Sequence, residues 1–175
     1  MSLIQGYAPK KSTYMDYDPE LPAVFRLVKS EIIKVLPSFD TQHTGSSAIP
    51  GLGGRNKVDL LLIGDKSNYK DGVSILESIG FQDSGFRDIP EDRPMQVCSI
   101  EHENKTYDIH VHLTYNGSAD HLNTIFFRDY LLTHPEARKT YGKIKFDAVQ
   151  AGYIERLIYN SKKDPFIRSI LDKRT

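Results

Sequence analysis

The sequence contains one cysteine, no excess charge of either sign and no long hydrophobic run. A single thiol, Cys98, excludes an internal disulfide and fits a reducing compartment. It lies in the apolar run from Met95 to Ile100, which predicts a core residue and not a nucleophile. No segment reaches the ~18 apolar residues of a membrane span, and no basic segment followed by an apolar one marks a secretion signal. We therefore expect a cytoplasmic protein without a membrane partner.

Charge and length set further bounds on the function. Lysine plus arginine and aspartate plus glutamate each number 23, so the formal net charge is zero. Without a net positive charge or a basic stripe, nucleic acid is not an expected partner. A single domain of this length buries roughly 70% of the surface of its unfolded chain. Residues 1–175 are therefore predicted to form one domain that needs no disulfide or metal for its stability.

Hydrophobic periodicity predicts a core of alternating helices and strands over about residues 17–115. Apolar side chains at every third or fourth position predict helices over residues 21–36 and 69–79. The segment 82–94, which mixes Asp, Gly, Pro and Arg, is predicted to be a loop. Extended patterns predict four strands, the last two joined as a hairpin: residues 39–43, 57–63, 95–101 and 105–113.

The last third of the chain has helical periods and predicts an extension over about residues 118–173. Its helices are expected at residues 120–132, 135–158 and 165–171. Pro135 suits a first helical position and gives the clearest boundary. No linker rich in Gly, Ser or Pro separates the extension from the core. The strands and helices together predict the fold class α/β (α+β). The extension offers a surface for a homodimer, but the sequence does not fix the oligomeric state.

The most informative segment is a Gly-Ser turn within residues 43–52, followed by the apolar strand of residues 57–63. Gly45 has no Cβ, so backbone amides can approach an anion, and the Ser46 hydroxyl adds a donor. Gly-Ser pairs are also common in simple turns. Asp59 strengthens the functional interpretation because a strand buried on both faces does not usually carry a carboxylate. A phosphate at the turn could share a cation with it.

A second polar pattern lies on the strand of residues 105–113. Asp108, His110 and His112 alternate with apolar residues, so all three lie on one face. If that face adjoins the Asp59 strand, then Asp59, Asp108 and His110 converge as a ligand set for a divalent ion such as Mn²⁺, Zn²⁺ or Fe²⁺. The alternative is a strand with one solvated face.

Further candidates lie in loops and on the helical extension. His43 is either a phosphate donor or metal ligand, or a strand-end histidine bonded to the backbone. Three loop arginines suit an anion such as a triphosphate, although loop arginines are more often solvated: Arg55, Arg87 and Arg93. On the helices, surface ion pairing is expected and anion contact is the alternative for Arg128, Lys143, Lys145 and Lys163. Core-edge positions are expected for Tyr107, Tyr141 and Tyr159.

These residues resemble the GrpB family, a group of small bacterial proteins with a nucleotidyltransferase-like fold. The resemblance covers nearly the whole chain in order, at Tyr17-Asp18-Pro19, Phe25, residues 43–52, Asp59, His110-Val111, residues 127–131, residues 134–136, Tyr159 and residues 163–167. It implies a mixed sheet flanked by helices. It also implies that the Gly-Ser turn and the Asp59 strand occupy the place where nucleotidyltransferases hold nucleotide phosphates and metal.

Departures from the pattern concern the metal centre above all. Active nucleotidyltransferases carry a second carboxylate two residues after the first, because two metals are held for in-line phosphoryl transfer. Leu61 occupies that position here. Arg55 stands where the GrpB pattern usually has lysine and keeps the charge, whereas Leu21 stands in place of a usual tryptophan.

Two functions therefore stay open at the level of sequence. The first is a nucleotidyltransferase-like enzyme that binds a nucleotide or other phosphorylated ligand with Mg²⁺, Mn²⁺ or Zn²⁺. Its phosphate site is Gly45, Ser46, Ser47 and Arg55, its catalytic and metal site is Asp59, Asp108 and His110, and its further candidates are His43, His112, Arg128 and Lys163. The second is a catalytically inactive nucleotide-binding, phosphate-binding or regulatory module of the same fold. A polymerase-type nucleic-acid modifier ranks last because no basic stripe is visible.

Overall fold

The computed structural model describes residues 3–7, 13–55, 57–86 and 88–174. Candidate Arg87 lies outside these residues. A five-stranded sheet with the strand order β1-β2-β5-β4-β3 forms the centre of the structure. Only the β2/β5 pair is parallel among the described pairs, so the sheet is mixed. The strands are β1 (Asp40–Thr44), β2 (Lys57–Gly64), β3 (Gln82–Asp83), β4 (Met95–His102) and β5 (Lys105–Tyr115).

Helices cover both faces of the sheet. They are α1 (Leu21–Val35), α2 (Asp71–Ser78), α3 (Ala119–Thr133), α4 (Pro135–Gln150) and α5 (Arg156–Leu171), with a short 3-10 turn at Ser46–Ala48. This arrangement confirms the predicted fold class, a mixed sheet flanked by helices with a helical C-terminal third. Most predicted elements match the observed ones within two residues at each end. No helix in the described part of the chain has the length and apolar character needed to cross a bilayer.

The main core lies between the sheet and helices α1 and α2. Alternate residues of the two central strands enter it and are buried: Val58, Leu60 and Leu62 of β2 with Ile109, Val111 and Leu113 of β5. Cys98 is part of this core, as its apolar surroundings predict. Since side chains alternate along a strand, Asp59 and His110 project from the opposite face. That face is the one beneath α3, α4 and α5.

A smaller apolar cluster joins the helical third to the segment after the Gly-Ser turn. Ile49 and Leu52 from that segment pack with Leu131 of α3 and Tyr141 of α4. Phe127, Phe166 and Ile167 complete the cluster. The helices are therefore held against the turn by burial of apolar surface.

The predicted helices over residues 135–158 and 165–171 are wrong in their bounds. Helix α4 ends at Gln150, because Gly152 takes a φ of +80° and Tyr153 N–H donates to the Ala148 carbonyl at 2.9 Å. This left-handed glycine cap ends a helix even where apolar periodicity continues. Helix α5 begins at Arg156 and passes through Pro165. A proline removes only one backbone donor, and burial of Tyr159 and Ile170 on either side holds the helix together.

Candidate functional site

A cleft of ≈ 550 Å³ lies between the polar face of the sheet and helices α3, α4 and α5. Its floor is formed by β2 and β5, and its walls include the Gly-Ser turn and the loop after β3. A smaller hollow of ≈ 140 Å³ adjoins it behind the turn. Sequence-predicted candidates that line one or both are Gly45, Ser46, Ser47, Arg55, Asp59, Arg93, His110, His112, Arg128 and Lys163.

Gly45 lies directly against Asp59. It has a φ of +65°, and a Cβ at this position would meet the Asp59 Oδ2 and stand 2.9 Å from the Asp59 Cβ. Thr44 and Asp59 are Cα partners in the β1/β2 pair. The turn can approach the carboxylate this closely only because residue 45 has no side chain.

Ser47 fastens the turn to the strand instead of facing a ligand. Its hydroxyl donates to the Thr44 carbonyl at 3.3 Å and accepts from Asp59 N–H at 3.3 Å. The His43 Nε2 lies 3.0 Å from the same oxygen. These three partners use the donor and both acceptor sites of the hydroxyl. Ser46 is therefore the hydroxyl that the turn can present to an anion.

Lys145 of α4 holds the other side of Ser46. Its ammonium donates to the Ser46 Oγ at 2.7 Å and also to the Gly53 carbonyl. The nitrogen lies 4.9 Å from the centroid of the Tyr141 ring. Lys145 is only 2% exposed, and this burial lowers its pKa to about 7. A buried cation behind the Gly-Ser turn favours an anion in front of it.

Two further cations stack on one aromatic ring beside the turn. Arg55 Cζ and Lys163 Nζ each lie 4.6 Å from the centroid of the Tyr159 ring. Burial, followed by the neighbouring Arg55 charge, lowers the pKa of Lys163 to about 8. Arg55, Lys145 and Lys163 thus come from three separate segments and converge on the Gly-Ser turn.

Asp59 and His110 face each other in the middle of the cleft. They are Cα partners in the parallel β2/β5 pair, and the His110 Nδ1 lies 4.0 Å from the Asp59 Oδ1. The Asp59 side chain is 30% exposed, and desolvation beneath the cleft raises its pKa. Burial lowers the pKa of His110 well below its ordinary value, so the imidazole is neutral.

Lys57 and Tyr7 hold the other nitrogen of His110. The Lys57 Nζ lies 3.2 Å from the His110 Nε2, and the Tyr7 hydroxyl lies 3.4 Å from it. Lys57 also donates to Tyr7 Oη at 3.5 Å. An ammonium group has donors only, so the Nε2 accepts and the ring proton sits on the Nδ1, toward Asp59.

The residues present do not fit a metal ion held by the protein. Asp108 lies outside the cleft lining, beside Ser99, whose hydroxyl donates to it at 3.4 Å. Its Cα partner on β2 is Lys57 and not Asp59. Leu61 is fully buried at the position of a second carboxylate. Within residues 3–7, 13–55, 57–86 and 88–174, no three His, Cys, Asp or Glu side chains form a group that could hold a metal ion.

The far end of the cleft carries polar atoms without partners. Arg93 Nε and His112 Nδ1 are buried and have no hydrogen bond within the described chain. Another nitrogen of Arg93 lies 3.5 Å from Asp120. Asp120, Asn123 and Thr124 line this end from the first turns of α3. Burial, then the Arg93 charge, lowers the pKa of His112 well below its ordinary value.

Two candidates have structural partners that account for their positions. His43 stacks on Phe25 of α1 with ring centroids 4.5 Å apart, on the core side of the sheet. It bonds to the Ser47 side chain and not to backbone, and burial lowers its pKa to about 4. Arg128 lines the cleft but donates to Gln42 Oε1 and to the His43 carbonyl, each at 3.0 Å.

Sequence reasoning missed Lys57, Tyr7 and Arg156 as site residues, and for Lys145 it gave anion contact only as the alternative to surface ion pairing. The signal for Lys145 was its place in the apolar stripe of α4, where Tyr141 and Ala148 are the other buried neighbours. Lys143 lies outside that stripe and forms the expected surface pair with Asp147 at 2.5 Å.

The loop after β3 is fastened to the start of α5. The Arg156 guanidinium lies 4.6 Å from the centroid of the Phe86 ring and forms an ion pair with Asp88. Phe86, Arg93 and Arg156 all line the cleft. The segment predicted as a loop is thus a wall of the site and begins with strand β3.

Comparisons with solved structures support the same fold. A crystal structure of the conserved protein GrpB from Enterococcus faecalis aligns with a TM-score of 0.73 and 22% identity, over 93% of this chain and 99% of that chain. The Cid1 poly(U) polymerase with bound MgGTP aligns with a TM-score of 0.53 and 16% identity, over 83% of this chain and 44% of that chain. At these identities the likeness shows the fold alone.

Sequence comparisons identify the family. A UPF0157 protein of Vibrio cholerae is 25% identical over 156 residues, which cover 89% of this chain and 78% of that protein. A UPF0157 protein of Pseudomonas aeruginosa is 29% identical over 161 residues, which cover 89% of this chain and 64% of the relative. The family described as GrpB protein matches residues 12–173. The chain therefore belongs to the GrpB family.

Proposed function

We propose that the cleft binds a nucleoside triphosphate or a similar phosphorylated small molecule, with its phosphates at the Gly45-Ser46 turn. The observation that carries this proposal is the charge of the cleft. The chain as a whole has no net charge, yet six cationic and three acidic side chains line the cleft: Arg55, Lys57, Arg93, Arg128, Arg156 and Lys163 against Asp59, Asp120 and Asp164. A concave site with excess positive charge concentrates anions.

The position of the phosphates follows from the donors around the turn. Arg55 offers a guanidinium that can bind two phosphate oxygens at once. Lys145 donates to the Ser46 hydroxyl from the smaller hollow, and Lys163 lines both the hollow and the cleft. Since water is largely excluded from buried lysines, their attraction to a phosphate is stronger than at a surface.

The far end of the cleft would receive the rest of the ligand. Its volume of ≈ 550 Å³ falls within the range of ~300–1,000 Å³ typical of small-molecule sites. Arg93 and His112 also line this end of the cleft. Asn123 and Thr124 supply further hydrogen-bonding groups there.

The site best supports a binding or regulatory module that does not catalyse a reaction. Leu61 removes the second carboxylate of the usual phosphoryl-transfer centre, and Asp108 does not replace it. Transfer is the second candidate, favoured by one observation. Asp59 faces the cleft and has a raised pKa. A general base that accepts a proton from a substrate hydroxyl has both properties.

The test is a calorimetric titration of the full chain with a panel of nucleoside triphosphates, inorganic pyrophosphate and phosphate. We expect triphosphates to bind, and Lys163→Gln to weaken binding at least tenfold, ~1.4 kcal/mol. Lys143→Gln is the matched control, because Lys143 is 74% exposed on the outer side of α4. Release of pyrophosphate on addition of an acceptor would identify the transferase. Failure of the whole panel to bind would refute the proposal.

A further inference from the structure

We infer that the cleft binds its phosphate ligand without a divalent metal ion, with the Lys57 ammonium as the built-in cation beside Asp59 and His110. This inference rests on the proposed phosphate-binding function and assigns the chemistry of its charge neutralisation. It departs from the two-metal arrangement that the nucleotidyltransferase-like fold would otherwise suggest.

Lys57 lies on the polar face of the sheet. Lys57 and Asp59 are two residues apart on β2 and therefore project from the same face, and Lys57 lines both the cleft and the hollow behind the turn. Its ammonium reaches His110 on the neighbouring strand at 3.2 Å. A cation thus already lies between the two strands that would have to supply metal ligands.

The hydrogen bond fixes the chemistry of the imidazole. Because Lys57 can only donate, the His110 Nε2 accepts and the Nδ1 carries the proton. That N–H lies 4.0 Å from the Asp59 Oδ1. A metal ion needs the lone pair of a deprotonated nitrogen, so in this tautomer neither nitrogen of His110 is free to bind one.

One carboxylate together with phosphate oxygens binds Mg²⁺ in some sites, and Asp59 is the carboxylate at this position. Four cationic side chains act on the Asp59 carboxylate: Lys57, Arg55, Lys163 and Arg93. Their charges already offset the carboxylate and would repel a divalent ion. The same cations remain to bind the phosphates directly.

Tyr7 secures the arrangement from outside the family-matched region. The match to the GrpB family begins at residue 12, whereas Tyr7 contacts both Lys57 and His110 through its hydroxyl. The described N-terminal segment is itself held to the sheet, because Gln5 pairs with Ser99 of β4 and Tyr7 N–H donates to the Gln82 side chain at 3.1 Å. The N-terminal segment therefore holds the Lys57 side chain on His110.

The test compares ATP binding by the full chain in EDTA and in excess Mg²⁺. We expect dissociation constants within about threefold of each other, a difference below 1 kcal/mol. In EDTA, Lys57→Met should weaken binding at least tenfold, Lys57→Arg should retain most of it, and Lys143→Met should leave it unchanged. Thermal melts of each variant report whether it folds, and Lys57→Arg provides the folded comparison if Lys57→Met does not.

The outcomes separate this inference from the function on which it rests. Binding in Mg²⁺ that vanishes in EDTA would overturn the inference and leave phosphate binding intact. Equal affinity of Lys57→Met and the unaltered chain in EDTA would also overturn it. No ATP binding in either solution would refute the proposed function itself and the inference with it.

Discussion

The Lys145 ammonium donates to the hydroxyl of Ser46 at 2.7 Å across 99 residues of sequence. This contact joins the helical third of the chain to the Gly-Ser turn at the edge of the sheet. It also places a lysine with a pKa of about 7 directly behind the proposed phosphate position. The site therefore depends on both parts of the fold.

The first prediction concerns the pH dependence of ligand affinity. Below a pKa of about 7 for Lys145 and about 8 for Lys163, the two ammonium groups are charged and attract phosphate. Above these values they lose the proton. Affinity for a triphosphate should therefore fall as the pH rises from about 7 to about 9, as titration calorimetry can measure.

Two single variants, Lys145→Met and Lys163→Met, serve as the controls for this pH profile. Each single variant should bind more weakly at neutral pH and show a flatter profile than the unaltered chain. A profile that stays flat in the unaltered chain, or that both variants reproduce in full, would contradict the assignment.

The second prediction concerns the close approach of Gly45 to Asp59. Gly45 has a φ of +65° and a ψ of −166°, a conformation that essentially only glycine adopts. Gly45→Ala also places a Cβ 2.9 Å from the Asp59 Cβ, so it should lower the free energy of unfolding by a strain term of about 1–3 kcal/mol and an overpacking term of about 1–3 kcal/mol. Gly51→Ala is the matched control, because Gly51 has a φ of +77° but no atom within 4 Å of the added carbon. Urea denaturation should show the larger loss for Gly45→Ala. Equal losses would mean that the contact with Asp59 is unimportant.

The third prediction separates the two serines of the turn. Ser47→Ala leaves the Asp59 N–H and the His43 ring without their shared partner and should cost ~1–3 kcal/mol of stability. Ser46→Ala removes an acceptor of the buried Lys145 ammonium, so it should lower stability as well, and it should weaken triphosphate binding more than Ser47→Ala does. Chemical denaturation and calorimetry on both variants test this, and the reverse pattern would show that Ser47 faces the ligand.

The fourth prediction concerns the wall of the cleft formed by the loop after β3. Arg156→Gln removes the ion pair with Asp88 and the cationic contact with the Phe86 ring. Hydrogen exchange of residues 84–86 and 88–94 should become faster while that of the buried strand β5 stays unchanged. Arg168→Gln, at the far end of the same helix, is the control. Unchanged exchange in Arg156→Gln would show that the loop is held by other contacts.

Local patterns were sufficient to predict most of the fold. Helix α1 carries a regular apolar period, and strand β2 carries a consecutive apolar run from Leu60 to Ile63. The hairpin turn contains Glu103 and Asn104 with φ values of 49° and 60°, as a short polar turn favours. The end of α4 was missed because the cap depends on one glycine, Gly152, within a continuing apolar pattern. The passage of α5 through Pro165 was missed because distant packing outweighs the local cost of a proline.

The candidate site was harder to predict because it depends on strand register. Asp59 lies opposite His110 only because β2 and β5 pair in parallel with that offset, which also sets Asp108 against Lys57. Sequence periodicity gives the face on which a residue lies but not its partner. The contacts of Lys145 and Tyr7 join segments 99 and 103 residues apart, a separation at which no local pattern carries information.

The most direct test of the central claim is a crystal structure of the full chain with a non-hydrolysable triphosphate analogue. We expect phosphate density at the Gly45-Ser46 turn, with Arg55 and Lys163 in contact and the remainder of the ligand directed toward Arg93 and His112. Phosphate density at any other place would contradict this expectation. An empty cleft, at an analogue concentration that saturates a known nucleotide-binding protein, would also contradict it.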